Sequence, residues 1–195
     1  HTVSAYASAT VYISPSSELT LRDTAGGGKI VNTNAEAIGN NGSLTMESGA
    51  LESDDGYALY NYYWDDETYG QAAIKGGTMT GWYRGIANCG ALEISGGDIS
   101  GGLYDIVNSG KLLFSGSMTL DKMWLKDGEY DTEVDGKGTM IIGTDVTVSG
   151  QDLDSFIDIA AGASITIDGT NNFFGGDTIL APVDIPGNYF VWDGS

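Results

Sequence analysis

The chain has 195 residues, with 27 acids against 8 bases and a formal charge of −19. A field of that sign repels phosphate backbones and anionic bilayer surfaces, which excludes nucleic acid as a partner, and no apolar run of about 18 residues is present to span a membrane. One cysteine, Cys89, and one histidine, His1, exclude an internal disulfide and a Cys/His metal set.

Thirty glycines against three prolines fit short strands and tight corners. Helical periodicity is absent, whereas strict alternation appears in Leu19-Thr20-Leu21, Val146-Thr147-Val148 and Ile165-Thr166-Ile167. In chain order, Val11-Tyr12-Ile13 reads as a first strand. An apolar-x-Asn phrase then recurs as Ile38-Gly39-Asn40, Leu59-Tyr60-Asn61, Ile86-Ala87-Asn88 and Ile106-Val107-Asn108, and, with Asp for Asn, as Leu125-Lys126-Asp127. Between these phrases lie same-facing pairs: Leu19/Leu21, Leu44/Met46, Ala72/Ile74, Leu92/Ile94, Leu112/Phe114 and Met140/Ile142. A single apolar position follows each of most pairs, at Leu51, Met79, Ile99, Met118 and Val146, and Gly76-Gly77 and Gly96-Gly97 open the bend between the two.

A repeat of about twenty residues implies units that bury themselves only against their neighbours. Three inward-facing strands per turn predict a triangular prism of about eight turns, with strands of neighbouring turns about 4.8 Å apart. The Asn/Asp positions then stack into one column that satisfies corner backbone groups, a structural role rather than a ligand site. The whole chain reads as one domain: residues 1–18 form an N-terminal strand or cap, 19–174 the coils, and 175–195 a C-terminal cap or the start of a following segment. The absence of a charged-then-apolar leader suits a mature or excised piece of a longer protein.

The Leu-x-Ile-x-Gly-Gly-x-Ile rhythm with its Asn column, over about Leu19 to Gly150, resembles the right-handed single-stranded parallel β-helix repeats of the pectin-lyase-like superfamily. In tone it is most similar to repeats in secreted or cell-surface proteins of Gram-positive, gut-type bacteria. That resemblance implies an all-β fold and an extracellular or surface location. It does not imply an activity, because the fold hosts lyases, hydrolases, adhesins and passive stalks.

Lyases of this fold need a base beside a uronate, acidified by Ca²⁺. Arg84, beside Trp82-Tyr83, is the candidate here, expected to project from a turn. The related hydrolases need clustered Asp with His and a basic pair, and internal His is absent. Adjacent Asp54-Asp55 and Asp65-Asp66 read as solvated decoration. Asp121, Asp127, Glu129, Asp131, Glu133 and Asp135 form an acidic stretch without a Ca²⁺-loop spelling, read as a bulging loop ahead of a Ca²⁺ site.

The aromatic residues carry the binding hypothesis. The step from Asn61 to Asn88 exceeds its neighbours by the length of an inserted loop holding Tyr62, Tyr63, Trp64, Asp65, Asp66 and Tyr69. Trp82, Tyr83, Tyr104 and Trp124 are expected in the turns preceding the column strands, at the same corner as that loop. Together with Arg84 they form the candidate ligand-binding strip, suited to sugar faces or a protein partner. For Tyr104 and Trp124, shielding of the corners is an equal alternative. The favoured reading is a non-catalytic spacer and adhesive module for carbohydrate or a cell-surface protein, with no cofactor required. The alternative is a Ca²⁺-assisted lyase or hydrolase of acidic glycans.

Overall fold

A computed structural model describes residues 1–5, 8–65, 67–120, 122–125, 138–149, 157–159, 164–168, 172–174, 177–179 and 183–186. The first turn comprises β1 (Thr2–Ala5), β2 (Val11–Ile13) and β3 (Glu18–Leu21), and the second β4 (Lys29–Asn32), β5 (Ile38–Asn40) and β6 (Ser43–Met46). The third holds β7 (Ala50–Ser53), β8 (Tyr57–Asn61) and β9 (Gln71–Ile74), and the fourth β10 (Thr78–Gly81), β11 (Arg84–Asn88) and β12 (Ala91–Ile94). The fifth is β13 (Asp98–Gly101), β14 (Tyr104–Asn108) and β15 (Lys111–Phe114), and the sixth β16 (Ser117–Thr119), β17 (Met123–Leu125) and β18 (Thr139–Ile142). The seventh is β19 (Thr147–Ser149), β20 (Ile157–Ile159) and β21 (Ser164–Ile167); β22 (Asn172–Phe174), β23 (Asp177–Ile179) and β24 (Val183–Pro186) follow. No helix occurs among the described residues.

Corresponding strands stack into three sheets: A, from β1 through β22 to β23; B, from β2 to β20; and C, from β3 through β21 to β24. All pairings between successive turns are parallel, giving a right-handed parallel β-helix with three strands per turn. At the far end β23 pairs with β22 and β24 with β21, both antiparallel.

The interior is one apolar column per inward position. Leu44, Ala72, Leu92, Leu112, Met140 and Ile165 lie in direct register in sheet C, with Met46, Ile74, Ile94, Phe114 and Ile142 as the second row, all buried. In sheet A the row is Ile30, Leu51, Met79 and Ile99. Its continuation differs from the expected one: Asp98 pairs with Thr119, two positions beyond the expected alignment, and Met118 pairs with Val148 instead of Val146. A shift by an even number keeps the same faces inward, so Met118, Leu120, Val146 and Val148 are all buried. At the bend from sheet C to sheet A, Gly49, Gly77 and Gly97 adopt φ of 100°, 93° and 107°, and Asp145 takes the left-handed region at 59° in a later turn, as short polar side chains can. Strands β1 and β4 had no counterpart in the sequence reading, because Lys29-Ile30-Val31-Asn32 shows no alternation.

The asparagine column is continuous and dry. Asn40 Nδ2 donates to Asn61 Oδ1 at 2.7 Å, Asn61 Nδ2 to Asn88 Oδ1 at 2.7 Å, and Asn88 Nδ2 to Asn108 Oδ1 at 2.6 Å. All four side chains are at most 1% exposed. Each amide also reaches forward one turn, to the carbonyls of Gln71, Ala91, Lys111 and Thr139 at 3.0 to 3.1 Å. The expected fifth rung, Asp127, lies outside the described residues. Asn108 is in register with Leu125, so the sixth-turn phrase is Met123-Trp124-Leu125, and among the described residues the column ends at Asn108. The misalignment arises before the phrase: Asp98 pairs with Thr119 and Ile106 with Met123, so the sixth turn reaches sheet B with fewer residues than the fifth.

Replacing Asn88 by Ala should strip partners from Asn61, Asn108 and the Lys111 carbonyl together, lowering stability by about 1–3 kcal/mol in chemical or thermal unfolding. Asn88→Asp should also destabilise, since it sets a buried carboxylate against the Lys111 carbonyl and Asn108 Oδ1. An Asn88→Ala chain that unfolds with the parent contradicts the structural role of the column.

Candidate functional site

The inserted loop sits at the corner between sheets B and C. That corner is two residues long in three turns, as Asn41-Gly42, Cys89-Gly90 and Ser109-Gly110. Added Cβ atoms show why glycine ends it: at Gly90 one would stand 2.2 Å from the Gly70 carbonyl, and at Gly110 2.1 Å from that of Gly90. In the third turn Tyr62 and Gly70 occupy the two corner positions, closed by Gly70 N–H donating to the Tyr62 carbonyl at 2.7 Å, and residues 63–69 loop out between them. They form a small hairpin. Tyr63 and Tyr69 bridge antiparallel with rings stacked at 6.5 Å, and Asp65 Oδ1 accepts the Glu67 and Thr68 amides at 3.0 and 2.6 Å across the tip. Trp64 projects from this hairpin and is 75% exposed. Asp66 lies outside the described residues.

Trp82 and Tyr83 do not share that corner. They form the bend between β10 and β11, at the opposite edge of sheet B, where Trp82 is 67% and Tyr83 41% exposed. Tyr104 and Trp124 are not in turns either. Tyr104 opens β14 and Trp124 is central in β17, with rings 5.5 Å apart and the Lys122 ammonium 5.0 Å above Tyr104. The expected strip along one corner is therefore a face: the outer surface of sheet B, bounded by Trp82-Tyr83 on one side and the Trp64 hairpin on the other.

Local backbone explains why aromatics pave it. In the apolar-x-Asn phrase the middle residue points outward, giving the column Tyr12, Gly39, Tyr60, Ala87, Val107, Trp124. Gly39 leaves room for rings: a Cβ there would lie 3.1 Å from the Tyr62 ring and 3.2 Å from that of Tyr12. At the other end of the strands two successive positions face inward, as with Ala58 and Leu59, both fully buried, so Tyr57 returns to the outer face. The rings then run edge to stack across the sheet: Tyr12 to Tyr62 at 6.3 Å, Tyr62 to Tyr60 at 4.2 Å, Tyr60 to Tyr57 at 5.3 Å and Tyr57 to Tyr83 at 6.5 Å. Tyr12, Tyr57 and Tyr60 were missed by sequence reasoning, although the outward middle position of the phrase was available to find Tyr60.

Arg84 does not project from a turn. It begins β11, is 4% exposed, and its guanidinium lies 5.5 Å from the Tyr57 ring and 5.0 Å from that of Tyr83, with Nη1 donating to the Tyr57 hydroxyl at 3.3 Å. Tyr63 is half-buried against Tyr69. Among the described residues no group of three or more His, Cys, Asp or Glu is placed to hold a metal ion, and the acidic residues from Asp121 to Asp135 lie outside them.

Fold and face together define a parallel β-helix with an aromatic outer sheet. No protein-family model, curated protein or solved structure matches the chain.

Tyr62 is a perturbed group of the face. Burial, and then its hydrogen bond to Glu36 Oε1 at 2.7 Å, raise its pKa well above the ordinary tyrosine range. A raised folded pKa means the protonated form stabilises the fold below about pH 10, and this contribution is lost as pH rises from there through the folded value. In an alkaline absorbance titration a late tyrosine phase should appear, and Tyr62→Phe should reduce it.

Proposed function

We propose that this β-helix is a non-catalytic module of a secreted or surface-attached protein, serving as a spacer that binds carbohydrate across the outer face of sheet B. The observation that carries the reading is the pair of open tryptophans, Trp64 and Trp82, at opposite edges of a face paved by Tyr12, Tyr57, Tyr60, Tyr62 and Tyr83. Rings whose only task was to cover corners would be buried there. Rings held open by packed neighbours offer rigid, amphipathic platforms for the C–H faces of sugars at little entropic cost. Asp65 and Glu67 on the hairpin, and Asp54 and Asp55 beside the far corner, are exposed carboxylates at the rim that can accept hydrogen bonds from sugar hydroxyls.

The pectin-lyase-like affiliation and a Gram-positive, gut-type source are part of the same proposal and rest on the repeat spelling. A lyase reading depends on Arg84 as its working group, and the packing of that guanidinium between Tyr57 and Tyr83 favours binding over catalysis.

A glycan array followed by titration of the strongest hit tests the proposal. Trp64→Ala or Trp82→Ala should weaken capture by about 2 kcal/mol, roughly thirtyfold, with little change in melting temperature. Added salt should leave a neutral glycan's affinity unchanged and strengthen that of an anionic one, because it screens the chain's negative field. Retention of full affinity in both variants, or a parent chain that binds no glycan, contradicts it.

A further inference from the structure

The B-to-C corner holds a second feature, on the sheet C side of the hairpin. In the first turn this corner is the longer segment Ser14–Ser17, tightened by Ser17 N–H donating to the Ser14 carbonyl at 3.0 Å and by Ser16 at φ 62°. In the third it is the hairpin. Between them the second turn has only Asn41-Gly42, so two long corners, about 10 Å apart along the axis, flank a short one. The result is a notch of about 270 Å³, with Ser17 and Glu18 on one wall, Glu67 and Tyr69 on the other, and Asn41 and Ser43 at its base. Asn41 is 5% exposed; its Nδ2 donates to the Tyr12 hydroxyl at 3.2 Å, but its Oδ1 has no hydrogen-bond partner.

The geometry points to this notch as a binding site for a single neutral saccharide residue, an inference that rests on the carbohydrate reading of sheet B and gives it a second, specificity-determining pocket. The volume suits one sugar ring. The lining is rich in acceptors, with the Glu18 and Glu67 carboxylates available to take hydrogen bonds from sugar hydroxyls, and the serine hydroxyls can donate or accept. Tyr69, braced by Tyr63, supplies the apolar surface. Two carboxylates disfavour an anionic ligand. Because Asn41 is joined to Tyr12, an end member of the sheet B aromatic run, the notch opens beside that face, and one glycan can occupy both.

The test uses the full chain and methyl glycosides of glucose, galactose, mannose and N-acetylglucosamine, followed by protein-observed NMR up to about 10 mM, the range of weak single-ring binding. At least one should bind and shift resonances of Ser43, Glu67 and Tyr69. Ser43→Trp, whose side chain faces outward between Glu18 and Gln71, should fill the notch and weaken binding at least about tenfold. Thermal unfolding checks that the fold survives. Monosaccharide binding that survives Ser43→Trp but is lost in Trp82→Ala overturns the notch and moves the ligand to sheet B. An oligosaccharide that binds while no methyl glycoside does overturns the notch and leaves the sheet B proposal standing. Should neither class bind, both fall. Calcium chloride that shifts Glu18 and Glu67 while no saccharide does so overturns the sugar assignment.

Discussion

The hydrogen-bonded column of Asn40, Asn61, Asn88 and Asn108 is the constraint on which the rest of this structure depends. Each primary amide has two donor hydrogens and one carbonyl, and in a dry interior all of them must be used. Here that is met by the next asparagine standing one strand spacing away, so the column fixes the register of sheet B from β5 to β14. Register of the flanking core follows. With Asn88 locked to Asn108, Ile86 stacks on Ile106, and Leu92 stacks on Leu112 beyond the corner.

The same constraint explains how the chain accepts an insertion. Any added segment must leave and return at points set by the column, and Tyr62 and Gly70 satisfy this by occupying the ordinary corner positions with residues 63–69 outside them. Trp64 is thereby carried into solvent without disturbing the coil beneath. The corner after Leu125, where no asparagine fixes the register, is also where the chain departs from its two-residue spelling. On the outer face, alternation set by the inward asparagines decides which residues meet. Tyr60 and Tyr12 project because Asn61 and Ile13 face in, and Gly39 between them lets Tyr62 fold across the gap.

Much of the coil was legible from spacing alone, because an Asn that must stack, and an apolar pair that must face the same way, leave a periodic trace. The paired columns of sheet C and the four rungs of the ladder follow from it directly. What spacing could not supply was anything depending on an even-numbered slip or a change of corner. Leu125-Lys126-Asp127 mimics the phrase two residues late, and Val146 competes with Val148 because both face inward. The site was less legible. Trp64 follows the strand that ends at Asn61 and Trp82 precedes the strand that ends at Asn88, which puts a whole sheet between them. Arg84 looked exposed in a string of polar and aromatic residues, and only the ring positions of Tyr57 and Tyr83, from two different turns, reveal it as packed.

Hydrogen exchange at the asparagine side-chain amides, followed residue by residue in the intact chain, tests the central claim most directly, because it reads the column itself. Buried Nδ2 protons held by a neighbouring turn exchange only through opening of the coil, so those of Asn61 and Asn88 should persist as long as the most protected backbone amides of β8 and β11. Side-chain amides of Asn61 and Asn88 that exchange as fast as those of an exposed residue would contradict a dry, hydrogen-bonded ladder and the register it imposes.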